Sequence, residues 1–581
     1  MCDIDKWGLD DLIDAMSSVP TKKRKIRVPK FQRRKAWDDA KENRLIDSLD
    51  KNIPVGCLTL YKIKSDAHGC DYYLIIDGLQ RSLTVRKYIK NPLQFENSRN
   101  IIKQVQDELT HRYPTVDKNK IDAIFSWWFV AANIGSYDDI IAKNYTEKFD
   151  DLQEYIYNNL GKSDTAKEIY KIIKINTTTL SNKINISKLK MPVLICHTIA
   201  TSLYDVFDRL NTGGTPLKRH EICAAAWYKF GYITVKNPEI ITHIAEHYDD
   251  MKKSIDEFEI HDDDTERKAD QFTYHEYLMG LKGYINKKYE LLNMLQQNSD
   301  EYIFHLVAVC LTKMTGADSD YETVPLRLIE EYKLDGLYKF EKQILKSVEI
   351  ISQVLDPYIK IKTKDIPLYQ VYALIGTIYN NDKYDIKQLQ LHILHDRLTQ
   401  VWKTQQSQTV AKFIKNNTYC GAISRKDYEK AFDDYSDNSL EIETINCSKI
   451  TTVDKLFMHM LYIGRYPNYI QYNTTNDYDR VIGANKLKKL FRADDIKVSI
   501  SHIANICPYI NSCENKQYKT LYDFINSKTS VADKEAWMSY YFITDIDLKF
   551  INTNFNKSDY IAFLKRRFAL IKTSFFSDYK M

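Results

Sequence analysis

Five consecutive residues, Asp77 to Arg81, combine the side-chain types that handle phosphate chemistry. Gly78 permits a tight turn and a close approach of a ligand to the backbone, and the start of a following helix presents unpaired N–H groups to an anion. The guanidinium of Arg81 suits phosphate oxygens. Gln80 can orient a water, and Asp77 can accept its proton or hold Mg²⁺. Taken alone, the segment is better explained as an ordinary strand–turn–helix junction, in which Asp and Gly serve the turn only.

The elements around this segment would place it at the end of a strand. The apolar spacing predicts a helix, then two strands joined by a polar turn, then the Asp77 turn and a further helix in which Val85 and Ile89 lie one turn apart. A later strand is followed by a short helix, the turn Asn211–Gly214, and a helix capped by Thr215 and Gly231. The first helix and the three strands are expected at Asp39–Lys51, Leu58–Ile63, Tyr72–Ile76 and Pro192–Cys196.

Length and composition indicate a globular protein of several domains. The chain has 581 residues, 44% of them hydrophobic and 28% charged, which is too long for one core and too apolar for a disordered chain. We predict domains at residues 1–235, 236–445 and 446–581, the second mostly helical and the third a small α+β domain. The N-terminus lacks a signal-peptide pattern and no apolar run spans a bilayer, which predicts a cytoplasmic protein without a membrane partner.

The charge distribution and the cysteine spacing favour nucleic acid over a metal ion as a ligand of this chain. The ten cysteines are scattered without a C-x-x-C pair, so the thiols are expected to be reduced and no metal site is predicted. The net charge is only +5, but nine of the positions from Lys22 to Lys35 are Lys or Arg. Such a basic arm can neutralise phosphates, which suggests DNA as a partner; a solvated arm is the alternative. Lys22–Lys25 can also serve as a nuclear localisation signal in a eukaryotic host.

Three blocks in a fixed order resemble the N-terminal domain of the GmrSD family of modification-dependent restriction proteins. The first is Val28–Arg33 with Trp37 downstream, the second is Asp77–Arg81, and the third is Phe207–Gly214 with Leu217. The resemblance covers about residues 20–235. The chain departs from the family pattern at Leu79, where the second block has Gln.

The resemblance implies a ParB/sulfiredoxin-like fold, hence an α+β protein, that binds and hydrolyses a nucleoside triphosphate, GTP or ATP, with Mg²⁺. It makes Asp77, Gln80 and Arg81 the expected hydrolysis residues. The expected nucleotide-binding residues are Gln32, Arg33, Gly78, Arg209 and Asn211. The charges of the side chains fit a nucleotide site, since Arg33, Arg81 and Arg209 together would balance a triphosphate. For the third block, a plain turn between helices is an equally good interpretation. The implied function is a sensor or effector in restriction of modified or foreign DNA, with a separate nuclease or defence subunit as a possible partner.

The C-terminal segment, roughly 450–575, is loosely similar to a His-Asn-His nuclease domain. The place of the essential histidine is taken by Arg480 and Val481, and Gly483 replaces a proline. Because arginine stays protonated and cannot act as a general base, we predict that the nuclease centre is lost. Lys486, Lys488, Lys489 and Arg492 remain able to grip nucleic acid. His502 is either a displaced catalytic histidine or a structural one, and the second is the more common case.

Two further functions compete with nucleotide hydrolysis. Leu79 and the degenerate C-terminus favour a non-catalytic nucleic-acid- or protein-binding module that keeps a relic nucleotide site. The sequence His243-Ile244-Ala245-Glu246-His247 spells the H-x-x-E-H signature of a zinc peptidase. That signature fixes only three positions and needs a third ligand, so a peptidase is the weakest of the three hypotheses.

Overall fold

The protein is described here by a computed structural model. It describes residues 2–580 except for 18–19, 31, 33–36, 66–68, 132–143, 185–188, 198–222, 224–226, 256–257, 262–266, 290–299, 313–323, 332–335, 361–365, 382, 441–449, 466–477, 492–498, 509–517 and 519. The chain divides into two compact units, Met1–Gly280 and Leu281–Met581.

A five-stranded mixed sheet organises the first unit. Its strands are β1 (Cys2–Gly8), β2 (Arg24–Arg27), β3 (Leu58–Ser65), β4 (Asp71–Asp77) and β5 (Lys190–Cys196), in the order β1-β5-β3-β4-β2. β3 and β4 form an antiparallel pair in which Thr59 faces Asp77, and β2 runs parallel to β4. The start of β3 at Leu58 therefore lies beside the end of β4 at Asp77, and the candidate chemical residues lie at this edge.

Helices pack on this sheet and close its core. Asp38 caps the helix α2 (Asp39–Asp50) by accepting a hydrogen bond from Lys41 N–H, as expected for an acidic N-cap. Leu45, Ile46 and Leu49 on α2 are buried. The described helices of this part are α1 (Leu9–Ala15), α2 (Asp39–Asp50), α3 (Leu79–Lys90), α4 (Glu96–Arg112), α5 (Lys118–Ser126), α6 (Phe149–Leu160) and α7 (Asp164–Ile184).

The first unit continues past residue 235 and packs on the same core. It adds the short strands β6 (Tyr232–Thr234) and β7 (Gln271–Thr273) and the helices α8 (Pro238–Ser254) and α9 (Tyr274–Lys288), the last of which crosses the division between the units. Met251, Ile255 and Phe258 belong to the hydrophobic core beneath the sheet. Val28 N–H donates to Glu259 O at 2.9 Å and His261 N–H donates to Val28 O at 2.8 Å. Residues 259–261 thus form an isolated parallel bridge with Val28, the residue that follows β2.

The second unit is mostly helical. Two three-residue strands, β8 (Tyr478–Arg480) and β9 (Ile506–Pro508), pair antiparallel. Its described helices are α10 (Glu301–Thr312), α11 (Val324–Glu331), α12 (Gly336–Lys360), α13 (Leu368–Asn380), α14 (Ile386–Leu398), α15 (Gln406–Lys415), α16 (Arg425–Leu440), α17 (Thr452–Arg465), α18 (Ala484–Leu490), α19 (Leu521–Asn526), α20 (Val531–Tyr540), α21 (Asp545–Asn552) and α22 (Lys557–Asp578).

The α+β class is confirmed, with a mixed sheet near the N-terminus and a helical bulk after it. The predicted domain boundaries at 235/236 and 445/446 stay predictions. Among the described helices, none combines the length and the apolar character needed to cross a membrane.

Candidate functional site

The turn between β4 and α3 has the geometry of an anion-accepting helix start. Gly78 is the N-cap of α3 with φ at +96°, a left-handed conformation that favours glycine. Ser82 N–H makes the first helical bond, to Gly78 O at 2.9 Å, and Gly78 itself has no side chain that could cap the helix. A Cβ at position 78 would collide with Leu58 Cδ2. Glycine is therefore required here by both conformation and space.

Arg81 closes the turn on itself. Its Nη2 donates to Asp77 Oδ2 at 2.6 Å and its Nη1 donates to Val55 O at 2.9 Å. The Arg81 side chain is only 13% exposed, whereas that of Asp77 is 34% exposed. Gly56, with φ at +80°, leaves room for the guanidinium, since a Cβ there would lie 2.7 Å from Nη1. The arginine thus links the loop before β3 to the strand end, and a phosphate would have to compete with Asp77 for it.

The first sequence block meets the second at this turn. Gln32 Nε2 donates to the carbonyls of Ile75 and Ile76 at 3.1 and 3.0 Å, the last two residues of β4 before Asp77. Gln80 Oε1 accepts from Trp37 N–H at 3.3 Å. Both glutamines are buried, at 8% and 7% exposure. The structure therefore brings Gln32, Asp77, Gly78, Gln80 and Arg81 together, with the two glutamines in positioning contacts.

Leu79, the departure from the family pattern, has a structural explanation. Its side chain is 4% exposed and belongs to the hydrophobic core of the first unit. The position thus faces the core, and an apolar residue there leaves Asp77, Gln80 and Arg81 in place. Sequence reasoning missed the Val55–Gly56 loop as part of the site, although its glycine two residues before an apolar strand was a usable signal.

The basic run is engaged within the protein over much of its described length. Arg24–Arg27 is the strand β2, not a free arm, and Lys22 pairs with Asp11. Lys25 and Arg27 both pair with Glu259, the Arg27 contact measuring 2.5 Å from Nε to Oε1. Lys30 Nζ lies 2.7 Å from Glu276 Oε1, with side chains only 10% and 1% exposed. Carboxylates from residues 259–276 therefore already neutralise part of the charge that suggested DNA.

The comparison with known protein families supports this assembly of blocks. Residues 16–228 match the family model described as the GmrSD restriction endonuclease, N-terminal domain. We call residues 16–228 the GmrSD domain after this match. The match covers well under half of the chain, and no curated protein matches the sequence. The matched family suggests a component of a restriction, and hence defence, system.

Three of the expected nucleotide-binding residues lie outside the described residues of the GmrSD domain. Arg33 falls in the gap at 33–36, and Arg209 and Asn211 fall in the gap at 198–222. Their convergence on the turn therefore remains a prediction, as does the balance of a triphosphate by three arginines.

The zinc-peptidase motif lies on α8, beyond the segment that the family model matches. His243 is 5% exposed, and its Nδ1 is bonded to Glu246 Oε2 at 2.6 Å. Across the described ranges, no three His, Cys, Asp or Glu side chains group together in a way that would hold a metal ion. Within those ranges, the third ligand that a peptidase needs is not found.

His502 in the second unit serves as a buried helix cap. Its Nδ1 accepts from Ala504 N–H at 3.0 Å, so Nε2 carries the proton and faces Ser436 Oγ and O, both at 3.2 Å. Burial lowers the pKa of His502 to about 4. Arg480 donates to Ser501 Oγ at 2.8 Å from Nη2. These contacts give both residues structural partners where a nuclease would need a histidine open to water.

Proposed function

We propose that the GmrSD domain binds the phosphates of a nucleoside triphosphate, GTP or ATP, at the turn between β4 and α3 and hydrolyses it. In this proposal the protein is a nucleotide-dependent sensor or effector of a restriction system. The observation that carries it is the convergence of the first two blocks: Gln32 holds the end of β4, and Gln80 of α3 accepts from Trp37 N–H. The family match supports the biological setting and leaves the chemistry as a proposal.

The residues have distinct proposed roles. The N–H groups in the first turn of α3 and the positive end of its dipole would receive phosphate oxygens. Arg81 would turn from Asp77 toward the phosphates, which frees a carboxylate at the moment the nucleotide arrives. Mg²⁺ usually takes one or two protein carboxylates together with phosphate oxygens, so Asp77 fits as its ligand. The ion would supply charge neutralisation of the phosphates.

Phosphate release and nucleotide binding by the purified full chain test the proposal. Wild type should release phosphate from GTP or ATP, and Asp77→Asn should lose most turnover while the chain stays folded. Asp47→Asn is the matched control, because Asp47 forms an exposed ion pair with Lys51, also four residues on. Equal turnover in wild type and Asp77→Asn, or none in wild type with either nucleotide, would overturn the hydrolytic function.

A non-catalytic binding module is the second candidate. It is favoured by the internal bonds of Arg81, which leave the guanidinium paired with Asp77 and Val55 instead of facing open solvent. Nucleotide binding without turnover would support it. DNA is the proposed partner of either function. A separate nuclease subunit is proposed as a second partner, because His502 is buried and the nuclease centre of this chain is proposed to be lost. DNA affinity that falls steeply with salt would support that partner.

A further inference from the structure

The most extensive buried ion pairing described in the first unit lies between the first block and a segment that the GmrSD family model does not cover. Glu276, 1% exposed, accepts from Lys30 Nζ at 2.7 Å and from Arg267 Nη1 at 2.9 and 3.1 Å. Thr273 N–H adds a third donor at 2.7 Å, because Glu276 lies in the first turn of α9. The carboxylate is thus fixed by the helix start as well as by two cations.

Lys30 connects Glu276 to the candidate site, because Gln32 lies only two positions after Lys30 in the chain. Gln32 N–H donates to Pro29 O at 3.0 Å, and Lys30 lies between these two bonded residues in the chain. Gln32 then holds the carbonyls of Ile75 and Ile76, directly before Asp77. On the other side of Lys30, Val28 is bonded to the backbone of Glu259 and His261. The first block is therefore held at Val28 by Glu259 and His261 and at Lys30 by Glu276.

We propose that Glu276 is a positioning residue of the candidate nucleotide site, acting through Lys30 and Gln32 on the end of β4. The inference rests on the proposed function for its effect on catalysis, whereas the mechanical coupling from Glu276 to residues 75–81 stands on the contacts alone. Residues 236–276 are then part of the working domain, although they follow the segment that the family model matches.

The coupling predicts which kinetic constant changes. The N–H groups of α3 belong to a helix that Gln32 does not touch in the described contacts, so nucleotide affinity should change less than about threefold. Asp77 follows the carbonyls that Gln32 holds, and a displacement of about 1 Å costs on the order of 10²-fold in rate. We therefore expect Glu276→Gln to lower kcat by roughly 10- to 100-fold with little change in the dissociation constant of the nucleotide.

Hydrogen–deuterium exchange in the full chain tests the coupling without any nucleotide. Glu276→Gln should accelerate exchange in the peptides that contain residues 28–32 and 75–81. Glu239→Gln is the control, with the same chemical change on an exposed first turn of the neighbouring helix α8. If Glu276→Gln unfolds the first unit, the triple variant Lys30→Met, Arg267→Met and Glu276→Leu decides, since apolar replacement of all the charged partners often preserves a fold.

The outcomes separate the two proposals. Faster exchange at 75–81 in Glu276→Gln, or in the folded triple variant, supports the coupling even if wild type hydrolyses no nucleotide, in which case only the proposed function fails. Unchanged exchange at 75–81 in a folded variant overturns the positioning role. Turnover in wild type with equal kcat in Glu276→Gln also overturns it and leaves the proposed function standing.

Discussion

Arg81 shows how one side chain can serve structure and chemistry at the same place. Its guanidinium joins Val55 O to Asp77 Oδ2, and both glycines near it, Gly56 and Gly78, adopt left-handed conformations that admit it. A planar fork with two separated donors suits this arrangement, and a lysine ammonium would reach only one of the two acceptors well. An anion arriving at the turn would offer the same guanidinium a stronger partner than a backbone carbonyl.

Substitution of Gly78 by alanine should destabilise the first unit by about 2–4 kcal/mol, from the left-handed conformation and the collision with Leu58. Gly69 is the matched control, because its φ is +76° but a Cβ there meets nothing within 4 Å. Gly69→Ala should therefore cost only about 1 kcal/mol. Guanidinium denaturation of both variants measures the difference, and equal losses would contradict the steric argument.

Protonation of His502 should make the second unit sensitive to mild acid. Burial holds the folded pKa at about 4, below the ordinary value of 6.5, so the unfolded chain binds the proton more readily. The contribution of His502 to the free energy of unfolding is fully present above pH 6.5 and is lost as the pH falls toward 4. The free energy of unfolding should therefore fall by about 2 kcal/mol between pH 7 and pH 5. His502→Asn keeps a capping acceptor but cannot titrate, and its unfolding free energy should vary less over this range. An identical pH dependence in both proteins would argue against a neutral buried imidazole.

At the scale of elements, sequence patterns predicted the site better than its surroundings. The helix at 39–50, the strands β3, β4 and β5 and the turn at Asp77 follow from apolar spacing and a glycine, and all are present. β2 was missed because Arg24–Arg27 reads as a charged arm. Its cations are balanced by Glu259, a partner more than two hundred residues away that no local pattern reveals. The third block remains a prediction because it lies outside the described residues.

Asn505, directly before β9, is expected to stabilise the second unit by bonding the backbone of the segment that follows β8. Its Oδ1 accepts from Ile482 N–H at 2.9 Å, and its Nδ2 donates to Ile482 O and Ile500 O at 3.0 and 2.9 Å. Because the residue is fully buried, Asn505→Ala leaves these backbone groups unsatisfied and should cost about 2–4 kcal/mol. Asn380→Ala removes a single bond to Gly376 O and should cost about 1 kcal/mol or less. Comparable losses of unfolding free energy in the two variants would rule out this role.

At the scale of the whole molecule, the extent of the first unit matters most. Met251, Ile255 and Phe258 lie in its core, and Glu276 neutralises the buried Lys30. A fragment that ends at residue 235 would expose that core to water and remove Glu276, the ion-pair partner of Lys30. Total stabilities of about 5–15 kcal/mol leave little margin for such a loss.

We therefore expect a fragment of residues 1–289, which keeps α9 whole, to unfold cooperatively on heating, whereas a fragment of residues 1–235 should aggregate or melt without a sharp transition. Circular dichroism and calorimetry of the two fragments, produced under the same conditions, measure the difference. The comparison also bears on Glu276, because the shorter fragment lacks the residue and the longer one keeps its bonds to Lys30 and Arg267. A shorter fragment that melts as sharply and at the same temperature as the longer one would show that the GmrSD domain is complete without residues 236–289, and the bracing of its first block by Glu259 and Glu276 would then be dispensable for folding.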